Sequence, residues 1–272
     1  GVVGGWRLIP VIYAVLLLVL AVLTLLLTPR HDRVPGATTP IRVMLEPLKD
    51  IRVWRFSLYY VVVFGAYVAL SAYLPAYYVD NFGVDLATAG LLTATFIFPA
   101  SLLRPVGGWL SDRWGARRGM YATFLVMLVA SGILMMPNGH IVLHQPDGGE
   151  SAMLHYDISL PLFVALVFVI GCAMGIGKAA VYKHIPTYFP HHVGSVGGLV
   201  GMLGGLGGFF LPPMFAYAKE FTGMASSTFG ILFAFTAVSL IWMHWTIHRM
   251  LHAESPGLAD SIDVPDAVGA AR

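Results

Sequence analysis

The sequence predicts an all-α membrane protein, a helical bundle with seven transmembrane helices, and three observations support this. Of the 272 residues, 57% are hydrophobic and only 11% are charged, whereas soluble domains are about 25% charged. Several apolar runs reach the roughly 20 residues that a helix needs to cross a bilayer. Basic residues follow the first and third runs, while the loops after the second and fourth have none, which indicates one consistent orientation.

Prolines, glycines and charges set the limits of the spans. We expect seven spans, at about 6–28, 54–78, 88–110, 119–136, 159–182, 194–217 and 227–249. Residues 29–53 are rich in arginine and proline, which predicts a central cytoplasmic linker. The N-terminus then lies outside, the segments 79–87, 137–158 and 183–193 form loops, and the polar tail 251–272 is cytoplasmic.

Other classes of protein are disfavoured. A single cysteine, Cys172, allows no disulfide within the chain, and the composition gives nucleic acid no basic surface. No phosphate-binding loop or nucleophile triad is present, so we expect no enzyme, no cofactor and no metal. His244, His248 and His252 repeat every four residues and in principle suit a metal, but polar residues at the end of the last span are the favoured interpretation.

Arg104 lies inside the third span. A charged side chain at membrane depth costs roughly 2.5–3.5 kcal/mol on insertion scales, so it is kept for a partner, a cavity or a substrate. No aspartate or glutamate lies within any span to neutralise it. A guanidinium keeps its charge and offers planar paired hydrogen bonds, which favours anion binding over a structural ion pair.

The turn after the third span combines glycines, one acid and three arginines, a pattern that suits a charge-based latch between two conformations. It resembles the G-x-L-x-D-R-x-G-R-R/K signature between the eighth and ninth helices of major facilitator superfamily transporters. The matching residues, which we take as the gating latch, are Gly108, Leu110, Asp112, Arg113, Gly115, Arg117 and Arg118. This resemblance makes the chain helices 6–12 of such a transporter: the sixth helix at 1–28, the linker at 29–53 and the C-terminal half at 54–250.

The sixth span carries glycines at steps of three and four residues, so one helix face is almost bare backbone. Close helix packing is the default interpretation, and passage of a ligand beside the backbone is the alternative. The string from Gly194 to Pro212, with the preceding segment from Gly175 to Pro186, resembles helices 10 and 11 of the nitrate/nitrite porter family. This likeness is more discriminating, because other facilitator transporters lack so dense a glycine run there.

The resemblance to porters implies a substrate site. Arg104 matches an arginine that binds the anion together with a second arginine from the second helix, which lies in an N-terminal half absent from this sequence. Tyr60 and Phe64 are implied as hydrogen-bond donor and aromatic wall, although spacing alone favours a packed stripe of Tyr60, Phe64 and Tyr67. Gly204 and Gly205 are the candidate backbone positions beside the substrate.

Lys178 departs from the small polar residue expected in many relatives. The favoured interpretation is that it extends to the cytoplasmic interface. The alternative is that a buried lysine couples transport to protons.

We therefore expect a multi-pass protein of the inner (plasma) membrane that transports nitrate, nitrite or both by alternating access. Its expected partners are these anions, the lipid bilayer, the missing N-terminal half and, as a candidate co-substrate, protons. Transport of another small anion is the first alternative. A non-transporting module that assembles through its glycine face is the second.

Overall fold

The computed structural model describes residues 5–28, 40–144 and 150–254, and most of them are helical. Within these ranges the α-helices are α1 Gly5–Leu27, α2 Ile41–Leu45, α3 Ile51–Tyr60, α4 Ala66–Phe82, α5 Leu86–Leu102, α6 Arg104–Trp114, α7 Ala116–Leu134, α8 Leu160–Tyr188, α9 Val193–Gly205, α10 Gly207–Thr222 and α11 Ser227–Glu254. A 3₁₀ turn at Glu46–Lys49 precedes α3, and a π-helical turn at Val61–Gly65 joins α3 to α4.

Six helices or continuous helix pairs in the described residues are long and apolar enough to cross a membrane, and a bent pair, α5 with α6, makes seven. The prediction of an all-α bundle with seven transmembrane helices is confirmed. The spans extend beyond the predicted limits, since the second runs from Ile51 to Phe82 and the sixth from Val193 to Thr222. Polar and aromatic residues at the ends of a span continue the helix, although hydropathy alone excludes them.

The chain divides into two compact units, residues 1–41 and 42–272. In the first unit, α1 is apolar on every side, with a mean hydropathy of 2.9 over Leu8–Leu27, which is typical of a transmembrane helix. The first part of the predicted linker, 29–39, and most of the predicted tail, 255–272, lie outside the described residues. The division into linker, transporter half and tail therefore stays a prediction.

In the second unit, α8 packs against α5, α6 and α7. Glycines permit this close approach: a Cβ at Gly171 would lie 2.6 Å from the carbonyl oxygen of Phe96, and one at Gly175 would lie 2.8 Å from that of Pro99. Small residues at such contacts are how helices pack closely in membranes. The glycines of the fifth span therefore serve packing.

The third span is bent by 43° between α5 and α6. Pro105 stands second in α6 and has no backbone N–H, so the carbonyl of Ser101 loses its helical partner. Pro99 lies one turn earlier, inside α5. Prolines are the ordinary cause of such bends, and this one puts Arg104 at the first position of α6.

Residues 183–188 are not the loop that the sequence predicted. The helix α8 continues through Lys183 and His184 to Tyr188, with Pro186 inside it. A proline in the last turn removes one hydrogen bond without ending the helix, because the packing of α8 on its neighbours holds that turn.

The predicted loop after the fourth span also contains more structure than expected. Strands β1 Gly139–His144 and β2 Glu150–Tyr156 form an antiparallel hairpin, with Gly139 opposite Tyr156. The hydroxyl of Tyr156 donates to the carbonyl of Ile133 at 2.9 Å and fastens the base of the hairpin to α7. No strand was predicted here, because only the charges of this segment were considered.

Candidate functional site

Arg104 is held by aromatic side chains. Its Nη2 donates to the hydroxyl of Tyr60 at 2.8 Å, and its guanidinium lies 5.9 Å from the centre of the Phe64 ring. No carboxylate contacts it among the described residues. The charge is therefore positioned by neutral groups and is not cancelled by them.

The aromatic stripe of the second span, formed by Tyr60, Phe64 and Tyr67, lies beside Arg104 and Lys178. The Tyr60 and Phe64 rings stack at 5.0 Å, and the Phe64 and Tyr67 rings lie 6.4 Å apart. The π-helical turn Val61–Gly65 lies between Tyr60 and Tyr67 and contains Phe64. Such turns are frequent at functional sites. The stripe is packed and also faces the charged groups, and its role in a substrate site stays a prediction.

Lys178 is buried, with 2% of its surface exposed. Its Nζ donates to the carbonyl of Ala100 at 3.1 Å and lies 3.3 Å from the centre of the Tyr67 ring. The expectation that it extends to the interface is wrong, because its carbon chain passes between packed helices to the last turn of α5. Cation–π contact and the negative end of α5 stabilise the ammonium there.

Arg104 and Lys178 share one neighbourhood. Lys178 Nζ is 5.7 Å from the centre of the Phe64 ring, the same ring that flanks Arg104. Tyr67, the other aromatic neighbour of Lys178, exchanges a hydrogen bond with the Ser101 hydroxyl at 3.1 Å. Two cations with neutral partners, Arg104 of α6 and Lys178 of α8, therefore lie near the bend of the third span.

Gly204 and Gly205 differ in what surrounds them. A Cβ at Gly204 would overlap the Tyr60 ring, whereas one at Gly205 would make ordinary contact with Phe64, at 3.7 Å. Gly204 therefore lets α9 press against the ring that holds Arg104. The structure brings both glycines to the candidate site, and a direct role in binding a substrate stays a proposal.

The candidate latch lies at the far end of α6. Gly115 has φ 90°, ψ 139°, a left-handed conformation that favours glycine, and it makes the turn into α7. Asp112 forms an ion pair with Lys183 of α8. The latch interpretation of this turn stays a prediction.

The basic residues of the latch have separate contacts. Arg117 Nη2 donates to the hydroxyl of Tyr188 at 3.0 Å. The Arg113 guanidinium lies 5.6 Å from the centre of the Trp109 ring. Arg118 is exposed. Arg113 and Arg117 therefore contact aromatic groups of this chain, and Asp112 joins the turn to α8 by an ion pair.

Three residues that contact the latch or Tyr60 were not predicted from the sequence. Lys183 and Tyr188 of α8 contact the latch, and Tyr182 packs edge-on against Tyr60 at 5.1 Å. Lys183 and Tyr188 were not selected because residues 183–193 were expected to form a loop. Their spacing from Tyr182, at one and six residues, indicates a shared helix only once α8 is known to reach Tyr188.

No group of three metal-ligating side chains is found in the part of the chain that the structure describes. His244 instead exchanges a hydrogen bond with the hydroxyl of Tyr121 at 3.0 Å.

Long apolar helices around cations with neutral partners define a multi-pass membrane protein with an interior charged site. The model of the Major Facilitator Superfamily matches residues 56–260, and the chain belongs to that superfamily.

Three curated relatives are similar over most of this chain. The "Probable nitrate/nitrite antiporter NarK1" of Thermus thermophilus is 60% identical over 96% of this chain and 59% of its own length. The "Probable nitrate transporter NarT" of Staphylococcus epidermidis is 32% identical over 88% and 56%, and the "Nitrite extrusion protein" of Bacillus subtilis is 31% identical over 92% and 59%. The chain thus spans a little over half the length of these relatives.

One solved structure supports the fold alone. A crystal structure of tetrameric PepTSo2 superposes with a TM-score of 0.55 at 16% identity, covering 73% of this chain and 41% of that chain.

Proposed function

We propose that this chain is the C-terminal part, helices 6–12, of a transporter that moves nitrate, nitrite or both by alternating access. The names of its relatives support these substrates. The observation that carries the proposal is Arg104, held by Tyr60 and Phe64 at a bend in the third span and contacted by no carboxylate among the described residues. Proton symport and nitrate/nitrite antiport are both compatible with this arrangement.

The chemistry of the site fits a small planar oxyanion. A guanidinium has five N–H donors, and in the described contacts one of its nitrogens donates to Tyr60. The remaining donors lie in one plane and match the oxygens of nitrate or nitrite. Tyr60 accepts this bond and keeps its own hydroxyl hydrogen to donate to the anion, while Phe64 walls one side. Gly204 and Gly205 supply backbone beside these rings.

A complete site requires the other half. The chain spans 56–59% of the length of three relatives, so we propose that a missing N-terminal half contributes a second arginine. Two arginines that face each other repel, and an anion between them removes the repulsion and permits the halves to close. Transport then proceeds by rocking of the two halves around a midplane site.

The latch residues would bias this rocking. Asp112 pairs with Lys183. Arg113 and Arg117 contact aromatic side chains, and another partner can replace those contacts. We propose that the pair forms in one facing state and is exchanged in the other, with Gly108, Arg113, Gly115, Arg117 and Arg118 shaping the turn. A surface ion pair worth about 0–1 kcal/mol is weak enough to exchange in each cycle.

Lys178 is the candidate for proton coupling. Its ammonium is buried beside the Arg104 neighbourhood and contacts a carbonyl and aromatic rings. A buried lysine without an acid partner is prone to lose its proton. Release and uptake of that proton would alter the positive charge that an anion meets at Arg104.

The proposed placement is the inner (plasma) membrane, with the C-terminus cytoplasmic and the N-terminus of this chain outside. The arginine-rich turn between α6 and α7 supports this orientation by the positive-inside rule.

Flux of nitrate and nitrite into vesicles that contain the full-length protein tests the proposal. We expect saturable uptake of one or both, competed by the other anion, and a pH gradient separates symport from exchange. Stronger competition by chlorate or by small carboxylates would assign another small anion. Absence of any anion flux, with the protein inserted and folded, would favour the assembly module and overturn the proposal.

A further inference from the structure

A small, partly open pocket lies at the latch end of the bundle, apart from Arg104. It has a volume of about 20 Å³ and is bounded by α3, α7, α8 and α11. Its polar lining consists of Arg55, Tyr59, Arg117, His184, Tyr188 and Thr246. Among the residues that the structure describes, neither an aspartate nor a glutamate lines it. The pocket therefore gathers groups that donate hydrogen bonds or carry positive charge.

Two of these groups are buried and have no hydrogen-bond or ion-pair partner among the described residues, although the Arg55 guanidinium lies 5.2 Å from the centre of the Phe56 ring. Arg55 is 7% exposed, and its guanidinium makes no hydrogen bond or ion pair with the described residues. Tyr59 is 3% exposed, and its hydroxyl has no hydrogen-bond partner there either. Buried polar groups are nearly always satisfied, and a buried charge left unpaired is costly. Both side chains therefore indicate an acceptor that the described chain does not supply.

The other polar groups of the pocket leave the same deficit. Arg117 gives one N–H to Tyr188, so the Tyr188 hydroxyl retains its hydrogen. His184 Nδ1 contacts the carbonyl of Ala180 at 2.7 Å, and since a carbonyl only accepts, Nδ1 carries the proton, which leaves Nε2 of the neutral ring as the one nitrogen acceptor in this lining. Thr246 spends its hydroxyl on the carbonyl of Trp242. Two permanent positive charges and two hydroxyl donors remain.

We propose that this pocket binds one small monovalent inorganic anion, of the size of a halide, between Arg55 and Arg117. A cavity needs roughly 10–15 Å³ to hold a water molecule, so about 20 Å³ suits a monatomic ion. A water molecule would leave the two guanidinium charges uncompensated, whereas an anion accepts hydrogen bonds from both and neutralises them. The bound anion ties α3 to α7 beside the latch turn, whatever the transported substrate is.

Thermal unfolding of the full-length protein tests the site. Bromide replaces gluconate at constant ionic strength, and we expect a tenfold excess over Kd to raise Tm by about 2–4 °C. Arg55→Gln should abolish that rise. Arg42→Gln, at an exposed arginine of α2, should retain it. A Tm that ignores bromide, or a rise that persists in Arg55→Gln, would overturn the site.

Tyr59→Phe keeps the test decisive if Arg55→Gln fails to fold. The substitution removes only a hydroxyl that has no partner, so the protein without bromide should be at least as stable, while its affinity for bromide should fall about tenfold. Unchanged bromide affinity would mean that the hydroxyl meets no anion.

Two measurements separate this site from the proposed substrate site. In an Arg104→Gln background the bromide effect should persist, and its loss there would assign it to Arg104. In crystals grown with bromide, an anomalous peak should lie between Arg55 and Arg117. Water alone at that position, or an acidic side chain from the rest of the protein, would contradict the proposal.

Discussion

The two ends of α6 carry charge in opposite ways. At its first residue, Arg104 is held by a phenol and flanked by a phenyl ring. Near its last residue, Asp112 is paired with the ammonium of Lys183. Within one helix of 11 residues, a cation with neutral partners lies at one end and an ion pair in a polar turn lies near the other.

The difference shows where charge is available for a ligand. A neutral hydrogen-bond partner orients a guanidinium without cancelling its field, which is strong in a low-dielectric interior. A matched ion pair in water is weak and easily exchanged. The proposed function places binding at the bend and switching at the turn, and the following substitutions test that contrast.

Arg104→Lys is expected to have the largest effect. Lysine keeps the charge but loses the planar donors, and each charged hydrogen bond lost is worth about 1.5–3 kcal/mol, or roughly 10- to 100-fold in flux. Nitrate and nitrite uptake by vesicles is the measurement, with the amount of inserted protein as the control. Near-normal flux would remove Arg104 from the site.

Lys178→Met tests the second cation at the bend. Methionine fills the same space without charge, and replacing an unpaired buried charge by an apolar group should leave stability unchanged or raised. We expect anion uptake to continue but to lose its response to a pH gradient. Lys49→Met, at an exposed lysine of the 3₁₀ turn before α3, is the control. Uptake in Lys178→Met that still follows the pH gradient rules out coupling through this lysine.

Substitution of two adjacent glycines in the middle of α6 distinguishes a role in helix packing from a role in switching. A Cβ at Gly107 would lie 2.7 Å from the Ile176 backbone, so Gly107→Ala should lower stability by about 1–3 kcal/mol. A Cβ at Gly108 meets nothing within 4 Å, so Gly108→Ala should raise stability by about 0.5–1 kcal/mol. Chemical denaturation compares the pair.

If Gly108 serves the latch through the missing half, the stable Gly108→Ala protein should nevertheless transport more slowly. Full transport by that protein would limit the latch to the charged residues.

Asp112→Asn should have the smallest effect on stability, at most about 1 kcal/mol, because the pair is exposed. Its effect belongs to the balance between facing states, which accessibility labelling of an engineered cysteine measures. Lys183→Gln should shift that balance in the same direction. Opposite shifts from the two substitutions would exclude the pair as a switch.

The sequence predicted the number and class of the helices because apolar length and loop charge are local properties. It also selected Arg104, Tyr60 and Phe64, and the structure brings these three together. That success depended on a resemblance, since spacing alone favoured a packed stripe. Their role in binding remains a prediction.

The environment of Lys178 could not be predicted in the same way. Whether a lysine reaches water or turns inward depends on which helices cover it, and the contacts with Tyr67 and Ala100 come from two other spans. Lys183 was missed for a related reason. A proline three residues later resembled a helix end, while packing of α8 carried the helix beyond it.

The π-helical turn at Val61–Gly65 sets the angle between the two parts of the second span. One residue of an α-helix corresponds to about 100° of rotation. Deleting a single residue from this turn would therefore rotate Tyr60 by about that angle relative to Tyr67, and the aromatic ladder would no longer face one way. The turn is a rotational spacer that keeps the neighbours of Arg104 and Lys178 on the same side of the helix.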